Sequence, residues 1–120
     1  MYYIYDDQHN PILELDPTKA FEWCDPYRKL VSLTTFPDGT KVSTVFLTLD
    51  HGSGWMLAGH LPVLWETMVF DCPHEEWQEF QDRYVSYKDA VIGHMAVVRE
   101  IMALQDVVEL PKPDRLRRIK

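Results

Sequence analysis

The chain has 120 residues, 46% hydrophobic and 26% charged, a composition that suits one globular domain and excludes a disordered chain. No apolar run approaches ~20 residues, which excludes a membrane-spanning helix. The formal net charge is −7, but residues 111–120 carry +4 through Lys112, Arg115, Arg117, Arg118 and Lys120 against Asp114, so the rest of the chain carries −11; an acidic body repels phosphate and argues against double-stranded nucleic acid as a partner.

In chain order, Tyr2 to Tyr5 are aromatic and β-branched and read as a short strand. Asp7 to Pro11 is a turn signal, and 12–15 can pair back as an N-terminal hairpin. Asp16-Pro17 reads as an N-cap followed by proline at the first helical position, predicting a short helix to Trp23 that stops before Asp25-Pro26. Residues 28–36 alternate, with Leu30, Ser32 and Thr34 on one face and Val31 and Leu33 on the other. Pro37-Asp38-Gly39 is a turn, and 40–50 and 61–70 are two further strands. The intervening stretch from His51 to His60 holds three glycines and is long for a hairpin connection.

Residues 74–84 show a weak helical spacing of Trp77, Phe80 and Tyr84 in an acidic segment. Ser86 and Asp89 then form a capping-box-like start. Tyr87, Ala90, Val91, His94, Val98, Ile101, Leu104 and Val108 follow with a 3.6-residue period that Pro111 ends. The expected fold is therefore α+β: a three-stranded antiparallel meander with an N-terminal hairpin, packed by a long C-terminal helix. Residues 1–110 form the single domain and 111–120 a basic tail, solvated in the simplest reading.

The start of the chain lacks a basic segment followed by an apolar one, so Cys24 and Cys72 are expected to be free thiols and the protein cytosolic. No P-loop, Gly-x-Ser-x-Gly, His-Glu-x-x-His or zinc-type cysteine spacing occurs, so neither cofactor nor metal is expected. The candidate binding residues are Asp50, His51, Trp55, Glu66, Thr67 and His94. Glu66 is a carboxylate among the apolar residues of a strand, and must be paired, hydrogen-bonded or solvated. His94 lies inside the helix stripe, where a neutral core histidine is the plain reading. Glu66 and His94 are expected on a common face, with His51 at the loop mouth. Trp55 lies in an apolar, glycine-rich loop suited to partner contact or a ligand lid. Trp77 and Phe80, with Glu75, Glu76, Glu79 and Asp82, make an acidic–aromatic segment able to dock a basic partner.

Val42-Ser43-Thr44-Val45-Phe46-Leu47, Leu49-Asp50-His51-Gly52 and Pro62-Val63-Leu64-Trp65-Glu66-Thr67-Met68-Val69-Phe70 resemble a family of small proteins common in tailed-phage genomes and prophages. Tyr2 to Pro11, Arg83-Tyr84 and Ala90 to His94 fit the same pattern. Two features depart from it: 52–60 is longer and more apolar than the family's loop, and Cys72-Pro73 replaces its Gly-Gly. The resemblance implies a viral origin and carries no activity with it. It suggests a phage accessory protein that binds a host factor or small molecule, counteracting host defence being one purpose. The alternatives are a small hydrolase or nucleotide-processing enzyme using His51, Glu66 and His94, or a virion structural or assembly component. Self-association is left open.

Overall fold

The computed structural model describes residues 1–50 and 61–109, with side chains described as far as Gln105. Residues 51–60, with His51 and Trp55, and the 111–120 tail lie outside these residues.

β1 (Tyr2–Tyr5) pairs antiparallel with β2 (Pro11–Glu14). Asp6 closes their turn, its Oδ1 accepting from the N–H groups of Gln8 and Asn10 at 2.9 Å each. These bonds, the one from Asn10 foremost, hold the Asp6 carboxyl below the usual aspartate range. Asp16 caps α1 (Pro17–Trp23) by accepting from Thr18 N–H at 2.9 Å, with Pro17 at the start as its fixed φ favours. Asp25 repeats the device for a one-turn α2 (Pro26–Lys29). This second cap takes Arg28 and Lys29 from the expected strand at 28–36, which runs instead as β3 (Leu30–Thr35).

β3 turns through Pro37-Asp38-Gly39 into β4 (Lys41–Phe46). Gly39 sits at φ 95°, Asp38 Oδ1 accepts from Thr40 N–H at 2.9 Å, and Phe36 N–H donates to Thr40 C=O at 2.8 Å. The strand expected over 40–50 ends at Phe46. Thr48 has φ 68°, a left-handed conformation that breaks the pleat and is uncommon for a β-branched residue. Its carbonyl instead accepts from Tyr3 N–H at 2.6 Å, and Asp50 N–H donates to Met1 C=O at 3.0 Å, so the chain after β4 ties down the N-terminal hairpin.

β5 (Trp65–Phe70) is shorter than the expected 61–70. The weakly helical reading of 74–84 gives way to a 3-10 turn at Glu75–Trp77 and a fourth strand, β6 (Gln81–Tyr84). Four residues with Asp82 and Arg83 in their centre carry no readable alternation of apolar and polar. α3 (Tyr87–Glu109) begins where expected, with Ser86 Oγ accepting from Asp89 N–H at 3.0 Å. The sheet order is β3-β4-β5-β6, antiparallel throughout, so the meander has one more strand than expected.

α3 packs across one face of all four strands. Its buried residues are Ala90, His94, Val97 and Ile101. Val91, placed in the stripe by sequence, is 37% exposed, and Val97 takes the core position. The buried apolar residues form two clusters. Phe36, Val42, Val69, Cys72, Trp77, Val97 and Ile101 make one; Phe46, Leu64, Trp65 and Ala90 make the other, with Tyr3, Tyr5, Trp23 and Tyr87 packed around it. No helix among the described residues is long and apolar enough to cross a membrane.

Candidate functional site

The two clusters are separated by a polar layer. In β4 Thr44 lies between Val42 and Phe46, in β5 Thr67 lies between Trp65 and Val69, and in α3 His94 lies between Ala90 and Val97. All three polar residues are buried, His94 at 2% exposure. His94 Nδ1 is 2.7 Å from Thr44 Oγ1 and its Nε2 is 2.9 Å from Thr34 Oγ1. Thr44 Oγ1 is 2.6 Å from Thr67 Oγ1, which accepts from Tyr84 Oη at 3.1 Å.

One proton arrangement lets each of these groups donate once along the chain. Tyr84 donates to Thr67, Thr67 to Thr44, Thr44 to His94 Nδ1, and His94 Nε2–H to Thr34. It uses a neutral imidazole with both nitrogens satisfied. Burial pushes the His94 pKa below its ordinary 6.5, which favours that neutral form. Burial also raises the Tyr84 hydroxyl above its ordinary value and keeps it a donor. Gly93 makes room for the Tyr84 ring: a Cβ there would collide with its hydroxyl and Cζ.

Glu66 is not part of this layer. Alternation turns it to the opposite face of the sheet from Thr67, so the expected common face with His94 does not form. Its Oε2 accepts from Gln81 Nε2 at 2.7 Å and from Arg83 Nε at 3.0 Å, both side chains reaching from β6. Glu66 is 7% exposed, and this pairing is what its burial requires. With Glu66 and His94 on opposite faces, the expected His51–Glu66–His94 constellation loses the meeting of two of its members. Asp50 has a separate place, its Oδ1 accepting from Val63 N–H at 2.8 Å across the base of the 51–60 loop.

The outer face that holds Glu66 has an unusual surface. Leu33 from β3 is 51% exposed and Phe70 from β5 is 43% exposed; Ser43 separates Leu33 from the half-buried Met68, Lys41 stands beside Phe70, and the half-buried Val45 lies in the row beyond, next to Glu66. The long helix α3 packs on the other face, where His94 bonds Thr44. At the end of β5 lies a groove of about 450 Å³, lined by Met68 and Phe70 from the outer face, by Val69 and Cys72 of the core, and by Asp71, Gln78 and Glu79. Asp71 and Glu79 both adopt left-handed backbone, at φ 59° and 62°. Lys41 pairs with Asp71 at 3.2 Å, and both side chains are well exposed. The groove thus combines an apolar lining with exposed carboxylates.

Sequence reasoning missed Gln81 and Arg83, because the strand that carries them was read as helix. It named Thr67, but the meeting of Thr34, Thr44 and Tyr84 on His94 needed the register of β3, β4 and β6. Cys24 and Cys72 are free thiols; Cys72 is buried, whereas Cys24, also expected buried, is only partly so. Among the described residues no group of His, Cys, Asp and Glu is arranged to hold a metal. Compared with known protein families, curated proteins and solved structures, the chain shows no match, and its site is read from its own geometry.

Proposed function

We propose that this protein works by binding: its outer sheet face, at the Met68–Phe70–Cys72 groove, docks a protein segment that presents an apolar side chain beside a basic one. The observation that carries this is the groove itself, apolar within and lined by Asp71 and Glu79, on a face where Leu33 and Phe70 remain exposed. Exposed apolar patches of this kind mark contact surfaces more often than chance. The acidity of the chain outside 111–120 adds long-range attraction for a basic partner. With the phage resemblance, the partner is a bacterial host protein, and interference with host defence is the purpose this gives.

The test is quantitative capture from a host lysate by the wild-type chain and by Phe70→Lys, with circular dichroism confirming that both fold. A partner retained by the wild type, depleted by Phe70→Lys and released by rising salt is the expected result. Capture that Phe70→Lys leaves unchanged for every partner overturns the proposal.

A further inference from the structure

The sheet has two edges of different character. β6 is four residues long and carries Asp82 and Arg83, the short charged form that resists pairing with another chain. β3 is six residues long, and the run from Leu30 to Pro37 contains no charged residue. Leu30 and Leu33 are 45% and 51% exposed along it. A neutral, partly apolar edge strand is a template for a further strand.

The backbone direction can be read from one hydrogen bond. Phe36 N–H donates to Thr40 C=O, and β3 and β4 continue in register from Thr35↔Lys41 to Thr34↔Val42. Residues of an antiparallel strand turn their N–H and C=O groups alternately to either side. Thr34 therefore faces β4, while Leu33 and Thr35 present theirs at the open edge.

We propose that β3 is a dimerisation strand: two copies of this chain pair antiparallel through it, Leu33 opposite Leu33, and join two four-stranded sheets into one. Three requirements meet at that register. Outward-facing backbone groups oppose each other. Side chains that share a sheet face remain on it, so the two exposed leucines become neighbours on the outer face. The ends are also complementary in charge. Arg28 and Lys29, in the α2 turn, stand at one end of β3 and Asp38, in the turn to β4, at the other, so antiparallel pairing brings the basic end of each copy toward the acidic end of the other. All three residues are exposed, Arg28 donating to Trp23 C=O and Asp38 accepting from Thr40 and Gln105. A chain of net charge −7 meets its copy along its neutral strip, flanked by opposite charges. This pairing uses the edge and not the groove; it shares only the exposed Leu33 with the binding role above, which Phe70→Lys tests separately.

The experiment is light scattering and sedimentation of the full chain over a concentration series, for the wild type and Leu33→Lys. The expected result is a wild-type species at twice the 14.1 kDa chain mass, and a dissociation constant raised about tenfold or more by facing lysines at the two-fold. A wild type that stays monomeric at every concentration overturns the proposal, as does a dimer that Leu33→Lys leaves intact. Amide exchange on the wild type decides the matter if the variant does not fold. Leu33 and Thr35 gain protection as the dimer forms, and a dimer in which both exchange freely overturns it.

Discussion

From neighbouring positions on the same strands, Thr44 and Thr67 point into the core while Val45 and Met68 point out of it, and Leu33 lies exposed beside the inward Thr34. The covered face is thus polar at its centre, and the open face keeps aliphatic and aromatic surface around the Glu66–Arg83 ion pair, with Lys41 and Asp71 paired at its end. Burial of Thr44, Thr67 and His94 is made tolerable by mutual hydrogen bonding, since threonine hydroxyls and a neutral imidazole cost little when they bond one another. Exposure on the outer face has no such internal reason, which is why binding is assigned there.

The contrast can be broken most severely at His94. His94→Ala empties a buried site and strands the Thr34 and Thr44 hydroxyls, so a loss of about 3–5 kcal/mol in urea-unfolding stability is expected. A loss below about 1 kcal/mol would show that the polar layer contributes no matched hydrogen bonding.

The ion pair gives the next effect. Arg83→Met leaves the Glu66 carboxylate with Gln81 alone and is expected to cost about 1–2 kcal/mol, less than for a fully buried pair because Arg83 stays 37% exposed. Glu66→Gln keeps a neutral acceptor in place and should cost under about 1 kcal/mol. The reverse order, from the same unfolding curves, would mean that Glu66 is held by something other than β6.

A pH titration sharpens the comparison further. Burial depresses the folded pKa of His94 below the 6.5 of an ordinary histidine. The unfolded chain therefore takes up this proton more readily than the folded one. The contribution is complete above pH 6.5 and is lost as pH falls through 6.5 toward the depressed folded value, at no more than ~1.4 kcal/mol per pH unit for one proton. Thermal melts from pH 7.5 to pH 5 should fall more steeply for the wild type than for His94→Gln. Parallel profiles would place the cause elsewhere.

The smallest effect belongs to the open face. Leu33→Ser, measured dilute enough to exclude self-association, should change stability by no more than about 0.5 kcal/mol. A larger loss would show that Leu33 is packed within one copy.

The α+β class, the hairpin, both ends of the Pro-Asp-Gly turn and the start of α3 were legible because each rests on local chemistry: Asp16 before Pro17, Gly39 at positive φ, Ser86 ahead of Asp89. What failed depends on contacts distant in sequence. Thr48 at φ 68° gives no local warning, since only the docking of Tyr3 on its carbonyl accounts for it. β6 is visible only once Arg83 is seen to neutralise Glu66. A bulge between Leu30 and Ser32 parts Leu30 from the Ser32 and Thr34 it seemed to accompany, and turns Leu33 outward. Of the candidate residues, Glu66, Thr67 and His94 were rightly singled out as polar groups needing partners, but alternation distributes them over two faces.

The polar layer also acts as a gauge. Sliding β4 by two residues keeps its apolar and polar faces where they are, so hydrophobic pattern alone does not forbid the slip. With His94 fixed in α3, that slip would set Val42 or Phe46 in the place of Thr44, leaving Nδ1 without a partner and Thr67 with Tyr84 alone. Three elements carry one polar mark each, and only one alignment brings the marks together. A chain that misaligns while folding therefore meets an unmatched imidazole in its interior, and the error is distinguishable from the native arrangement before the rest of the sheet has closed over it.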